Sequence, residues 1–409
     1  MPPTAAAAPA APASRMTAQE RRSSISLALI FALRMLGLFL VLPVFMLEAR
    51  KYPGGDDAAL VGLAMGIYGL TQAFLQLPVG LASDRFGRKR VIVAGLAVFA
   101  VGSLVAALAG SVMGLLAGRA LQGAGAVSAA VTALLADQTR EVVRTKAMAL
   151  VGMSIGLMFA VALVLAPLLT AHIGLAGLFG LTFALALGGI ALVLWVVPPE
   201  PARHADAPRA SLAQVWRHAD LRRLNLGVFA LHTIQMAMWV AVPAMLVQAG
   251  LAKALHWHVY LPALVLSVVA MGALLAMERR GRLRAALLLS IALIALVQAA
   301  LGLLVADGVQ PTVWLLGVLL FIFFCGFNML EATQPSLVSR MAPANLRGAA
   351  LGAYNTLQSL GLFAGGALGG ALAKWAGAGA LFGATALLAL AWLAITWPLE
   401  PIGRERAGH

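Results

Sequence analysis

Arg34, Arg119, His232 and Glu331 lie inside stretches otherwise built from Leu, Ala, Val, Gly and Phe. An ionisable side chain is costly in such surroundings, and where one persists it marks a route for a solute or a proton. Glu331 is the only acid well inside an apolar run. A carboxyl group there can take up and release a proton as a transport cycle turns; the alternative is a fixed partner for a buried arginine. His232 has a similar choice, between exchanging a proton and hydrogen-bonding a neighbouring helix. Arg34 and Arg119 keep their charge, so each needs an acceptor: a solute anion, Glu331 or backbone carbonyls.

A second group is polar without charge. Tyr68, Gln72 and Gln76 recur every four residues, which sets them on one helical stripe. With Gln235, Asn328 and Gln358 they have the chemistry to line a solute cavity, or to tie one helix to another. A third group is small. GLFAGGALGG (361–370) places Gly361, Gly365 and Gly369 at every fourth position, a surface on which a second helix packs closely and slides. Its apolar setting excludes a phosphate-binding glycine loop. No His-Glu-x-x-His pair, nucleotide-phosphate loop or soluble catalytic pair occurs. Enzyme activity, a metal, a cofactor and ATP-driven transport are therefore not expected.

The elements that carry these residues are long and apolar. Twelve of them are read at 24–47, 58–82, 91–110, 112–136, 147–170, 174–197, 223–249, 258–277, 285–306, 312–337, 348–373 and 379–397. Crossing a hydrocarbon core about 30 Å thick takes roughly 20 helical residues, so each is long enough to span. Hydrophobic residues make up 62% of the 409-residue chain and charged residues 11%, against about 25% charged in soluble domains. Function is therefore sought in a path through lipid.

The net charge of +14 would suit nucleic acid, but its placement does not. With the amino terminus in the cytoplasm, 23 of the 29 Lys and Arg fall on that side, in the tail and in loops 85–90, 140–146, 203–223, 279–284, 340–347 and 404–406. That asymmetry is the positive-inside rule, and it places both termini in the cytoplasm of a multi-pass protein. The single cysteine, Cys325, leaves no disulfide within the chain. Residues 1–22, rich in Ala and Pro, are expected to form a disordered cytoplasmic tail, within which Met16 is an alternative start.

The polar interruption at 198–222 divides the chain into six segments and six. The expected fold is an all-α polytopic membrane protein: bundles at 23–197 and 223–397, a cytoplasmic linker between them and a tail at 398–409. Within the linker, Leu212, Val215, Trp216 and Ala219 share a helical face, which suits a short helix at headgroup level or a simple tether. The halves also echo each other. GLASDRFGRKR (80–90) aligns without gaps with LLAMERRGRLR (274–284), and Asp84 faces Glu278. Parallel repeats of this kind build two-lobed transporters with the solute site between lobes near the midplane.

At GLASDRFGRKR the chain resembles the major facilitator superfamily, whose signature between its second and third helices is Gly, Asp-Arg, a spacer, Gly and a basic pair. Gly80, Asp84, Arg85, Gly87, Arg88 and Lys89 match it in full. RALQGAGA (Arg119, Gln122, Gly123, Gly125) looks like the Arg-and-Gly pattern of proton-coupled members, which implies a proton role for Arg119 and close packing at Gly123 and Gly125. ALRMLGLFLVLPVF, ADQTREVVRTKAMA and FNMLEATQPSLVSR together look like the YajR-type transporters, classed with drug:proton antiporters. The resemblance covers about residues 17–398. One departure is in the fifth segment, which keeps Pro167 but has Ala162 and Ala166 where the antiporter pattern has Gly.

The resemblance implies that Asp84, Arg88 and Asp137 latch the lobes on the cytoplasmic side when the outside is open; plain topology charge with incidental pairing is the bland alternative. It implies a monomer in the bacterial inner membrane, with a small-molecule substrate, protons and the lipid bilayer as its partners and no nucleic acid. Many YajR-type proteins carry an extra soluble carboxy-terminal domain; this sequence stops twelve residues after its last span, so regulation through such a domain is not expected. The expected activity is proton-coupled efflux by alternating access, with Glu331, Arg119 and His232 handling the proton and Arg34, Tyr68, Gln72, Gln235, Asn328 and Gln358 around the solute. Two rival readings are proton-linked or facilitated uptake of a nutrient, and a non-transporting sensor or scaffold.

Overall fold

The computed structural model describes residues 15–200, 212–343 and 346–399. The first fourteen residues, the linker stretch 201–211 and the end with Arg404 and Arg406 lie outside the described residues. Among the described residues every regular element is helical. The spans are α1 (Ala18–Phe39), α2 (Ala58–Phe86), α3 (Arg88–Ala107), α4 (Val112–Asp137), α5 and α6 (together Glu141–Trp195), α7 (Ala219–Gln248), α8 (Trp257–Arg279), α9 (Leu283–Ala306), α10 (Val313–Met341), α11 (Arg347–Trp375) and α12 (Gly377–Thr396). They form two six-helix bundles, α1–α6 and α7–α12. One face of the molecule carries the start of α1, the 80–90 and 274–284 loops and the linker, and is called the terminal face below; the opposite one is the far face.

The boundaries differ from the apolar runs for local reasons. α1 begins at Ala18, inside the stretch expected to be a disordered tail. Thr17 Oγ1 accepts from the Glu20 amide at 3.2 Å and the Glu20 carboxylate accepts from the Thr17 amide at 2.8 Å, a reciprocal cap. The same helix stops at Phe39 rather than continuing to 47, because Pro43 lacks the N–H that would bond the Phe39 carbonyl. One more turn, Phe45–Glu48, follows it. α4 breaks at 125–127. α5 and α6 run on through 171–173 and part only at Gly174, whose φ of 63° is open to glycine. The linker ends in a short helix, Leu212–Arg217, and 219–222 already belong to α7.

The outer surface is apolar where a soluble protein would be charged: Phe74 is 70% exposed and Val269 73%. Trp195 and Trp397 stand exposed at helix ends on the terminal face, and Trp314 and Trp375 on the far face. This is the aromatic belt of a bilayer protein. The internal repeat also has a structural counterpart. Gly87 and Gly281, matched in the alignment, both take positive φ, 112° and 77°. The acid of each loop meets a charge at the end of the helix two further on, Asp84 with Asp137 through Arg88, and Glu278 with Arg340 directly.

The two bundles meet closely in the half towards the far face. There α2 crosses α11 on glycines: a Cβ on Gly366 would sit 2.8 Å from the backbone N and Cα of Gly66 and from the Gly62 carbonyl. Gly69 faces Ser359 and Phe363 in the same way. A second face of α11 packs on α7, with Gly361 against Phe229 and His232 and Gly365 against Thr233 and Met236. Gly369 is looser, its nearest neighbours being Val240 and Ala237. Pro167 is buried inside α5.

Candidate functional site

Three helices of the second bundle converge on Glu331. His232 Nδ1 lies 3.0 Å from the Val228 carbonyl, so that nitrogen carries the proton. His232 Nε2 lies 2.8 Å from Gln358 Nε2, placed to accept from that amide. Gln358 Nε2 also reaches Glu331 Oε1 at 3.4 Å, and Glu331 Oε2 stands 3.5 Å from His232 Nε2. Proton uptake by His232 would turn its Nε2 from acceptor to donor and make a charged pair with Glu331. Asn328, one turn from Glu331, donates to Ser267 at 2.8 Å and ties α10 to α8.

The first bundle holds a different network. Arg34 donates to Tyr68 Oη at 2.7 Å and Ser128 Oγ at 3.1 Å, and lies over the Phe99 ring at 5.7 Å. Arg119 donates to Gln122 Oε1 at 3.0 Å and the Met65 carbonyl at 3.1 Å, and lies 5.0 Å over the Tyr68 ring. Tyr68 thus serves one arginine with its oxygen and the other with its π face. Both arginines are nearly fully buried, and no carboxylate pairs with either among the described residues. Of the acceptors expected for them, the Met65 backbone carbonyl serves Arg119, while the hydroxyls of Tyr68 and Ser128 and the Gln122 amide were not foreseen. Arg119, grouped in the sequence reading with Glu331 and His232, instead shares this network. The glycines after it pack as tightly as their motif implies: Gly123 presses on the α2 backbone at Tyr68, and Gly125 on Gly95 and Phe99. Gln72 pairs with Gln76 at 3.4 Å.

Between the bundles, towards the far face, runs a chain of aromatic rings. Phe39 meets Phe159 at 5.2 Å, and Phe159 meets Trp239 and Phe324, each at 6.3 Å. Phe323 and Phe327 extend it to His232. Gln235, Trp239 and Phe324 enclose a small apolar cavity with Met238 and Val242.

At the far face two ion pairs cross between bundles. Lys374 at the end of α11 meets Asp57 at 2.7 Å, and Lys253 meets Glu48, which also binds Lys51 at 3.0 Å. Asp57 also caps α2 by accepting from the Ala59 and Leu60 amides. The Lys374 ammonium holds the Asp57 carboxyl below the usual carboxylate range. A depressed acid supports the paired form above its ordinary titration range and loses that support only as pH falls through the lowered value. Glu48 is buried. Glu48→Gln strands Lys253 and Lys51, and is expected to raise far-face labelling of an engineered cysteine about tenfold, in line with the cost of breaking a desolvated pair. Labelling unchanged within about twofold would mean the pair closes nothing.

At the terminal face the pairs of Arg88 with Asp84 and Asp137 lie in the first bundle and the pair of Glu278 with Arg340 in the second. Arg88 meets Asp84 at 2.5 Å, Asp137 at 3.1 Å and Ser83 Oγ at 2.7 Å. The Glu200 carboxylate accepts from the Arg88 and Lys89 amides at 3.1 and 2.6 Å, a favourable place for an anion at the start of α3. Arg85 lies over Phe86 at 5.4 Å, and Gly80 faces Ala129 of α4. Sequence reasoning overlooked Glu200, Glu48, Lys253, Asp57 and Lys374 because each pairing spans distant segments. It also overlooked Gly62, Gly66 and Gly69, whose spacing of four and three was a usable signal.

The sequence pattern of the Major Facilitator Superfamily matches residues 24–366. The chain is 43% identical over 388 residues to the inner membrane transport protein YajR of Escherichia coli (strain K12), covering 93% of this chain and 84% of that one. It is 28% identical to the multidrug resistance protein MdtH of Aeromonas salmonicida, covering 86% and 88%. Among solved structures the nucleoside transporter NupG, crystallised as a point mutant, superposes with a TM-score of 0.71 at 13% identity, over 92% of this chain and 99% of that one.

Proposed function

This chain belongs to the major facilitator superfamily and is a transporter, and we propose that it exports a small organic compound in exchange for protons by alternating access. The observation that carries the coupling is the His232–Gln358–Glu331 cluster, a carboxyl group and an imidazole joined by one amide. A proton arriving on Glu331 removes a charge that is costly in the membrane interior and lets the lobes rearrange. The closed far face, with its two crossing ion pairs, supports an arrangement that loads solute from the terminal face. The relatives' names support the same setting: the bacterial inner membrane, with the basic terminal face in the cytoplasm.

The substrate pathway in this reading lies between the Arg34–Tyr68 network and the Glu331 cluster, beneath the aromatic chain. Arg119 braces Tyr68 there. Export and proton-linked uptake share this geometry and differ in direction. A compound library screened for thermal stabilisation of the detergent-purified protein supplies a test solute. Its uptake into inverted vesicles acidified inside supports export; uptake only into right-side-out vesicles would overturn that direction.

Asp84, Arg85, Arg88 and Asp137, with Gly80 and Gly87 shaping the turn, act as the latch that holds the terminal ends together in the opposite conformation. Glu200 fixes the start of α3, so that Arg88 is already positioned. With Cys325 replaced by Ser, Asp84→Asn is expected to favour the terminal-face-open state, raising alkylation of a terminal-side cysteine at least about threefold and lowering it on the far side, the size of effect of one charged hydrogen bond discounted for exposure. An unchanged pattern would remove the latch from the account.

A further inference from the structure

Glu331 has two unlike oxygens. Its side chain is 40% exposed, yet Oε2 is buried and lacks a hydrogen-bond partner among the described residues. Gln358 holds the carboxyl orientation by donating to Oε1. Each helix of the cluster carries a further polar side chain nearer the terminal face. On α7 it is Asn225, two turns before His232; on α10 it is Gln334, one turn after Glu331; on α11 it is Tyr354, one turn before Gln358. Spacings of seven, three and four keep each on the face that holds its cluster partner.

All three are buried, at 0%, 2% and 2% exposure, and their polar atoms are unpartnered: both amide atoms of Asn225, Gln334 Oε1 and Tyr354 Oη. Tyr354 is within electrostatic reach of Glu331. One heptad before Asn225, His218 precedes α7 at the terminal face with its Nδ1 buried and unpartnered. A bundle interior rarely leaves so many polar atoms unsatisfied on converging faces, and groups so placed are the ones that hold buried water.

We propose that Asn225, Gln334 and Tyr354 line an internal proton route through the second bundle, from Glu331 Oε2 to His218 at the terminal face. The O–H bond of the protonated Glu331 breaks, its proton passes to a water oxygen and along a water file, and bulk water receives it, leaving a carboxylate. The three side chains hold the file in place. Because Oε2 is turned away from the exposed side of the carboxyl group, a solute filling the cavity does not block proton release. Among the described residues the ionisable groups facing Glu331 are His232 from α7 and Tyr354 from α11. Farther towards the terminal face, Glu278 of α8 is paired with Arg340 of α10, and Arg284 of α9 donates to the Trp397 carbonyl. The route rests on the coupling role of Glu331.

Time-resolved infrared spectroscopy of the reconstituted full-length chain after an upward pH jump tests it without a solute. The protonated-carboxyl C=O band that Glu331→Gln removes reports Glu331. The double variant Asn225→Leu/Tyr354→Phe is expected to slow decay of that band at least about tenfold, an added barrier of about 1.4 kcal/mol, with its pH midpoint unmoved. Asn225→Ser, which keeps a polar group, is expected to keep the rate. Tyr354→Phe alone is expected not to lower the melting temperature, because the lost hydroxyl had no partner. If Asn225→Leu fails to fold, Tyr354→Phe/Gln334→Met makes the same test. Equal decay rates in folded variants would overturn the route alone; a band unaffected by Glu331→Gln would overturn the coupling role and the route with it.

Discussion

Glu331→Gln is expected to abolish solute accumulation against a gradient while leaving solute exchange in place. One proton moving through 100 mV releases about 2.3 kcal/mol, and a tenfold concentration ratio costs about 1.4 kcal/mol. One proton per cycle therefore sustains about a fiftyfold gradient of an uncharged compound. Gln keeps the size of Glu and accepts from Gln358 through its own carbonyl, but it cannot exchange the proton. In proteoliposomes with an imposed potential and pH gradient, the steady-state ratio should fall from tens towards one. Counterflow, which needs no net proton movement, should persist within about threefold of normal. A Glu331→Gln protein that still accumulates the compound would remove Glu331 from the coupling step.

Gly366→Leu should hold the far face open. The glycine faces Gly62 and Gly66 of α2 so closely that even a Cβ would come to 2.8 Å from three backbone atoms. Backbone cannot yield as a side-chain tip can, so a leucine forces α2 and α11 apart. With the crossing broken, Lys374 and Asp57 lose their register. The expected outcome is a spin-label distance across the far ends of α2 and α11 longer by several ångströms, and transport reduced more than about tenfold, because one of the two alternating states is depopulated. Gly383→Leu, at a position with open space around it, is the control and should do neither. A Gly366→Leu protein with the wild-type distance would show that the glycine crossing does not govern closure.

Much of this molecule is legible in its sequence, because lipid imposes a strong pattern. The spans, the two bundles and the repeat at 80–90 and 274–284 follow from hydropathy, length and the Gly87–Gly281 match, all of which are local properties. Caps and breaks are local as well, yet the Thr17–Glu20 cap and the stop before Pro43 are hidden inside the larger apolar signal. Site residues divide along a different line. His232, Gln358 and Glu331 stand out singly, but their meeting depends on how α7, α10 and α11 rotate, which hydropathy does not encode. Arg119 shows the cost: it shares a chemistry with the proton site and sits in the other bundle, over Tyr68. The far-face pairs Glu48–Lys253 and Asp57–Lys374 join residues 205 and 317 positions apart, and only the folded chain brings them together.

Solute and proton are expected to move in opposite directions through one protein by turns. Proteoliposomes loaded with a compound from the stabilisation screen and a pH-sensitive dye measure both at once. With no imposed pH gradient and the potential clamped, the outward solute gradient should drive protons inward and acidify the lumen, and Glu331→Gln should abolish the signal. Solute leaving at the wild-type rate with the internal pH unchanged would contradict it.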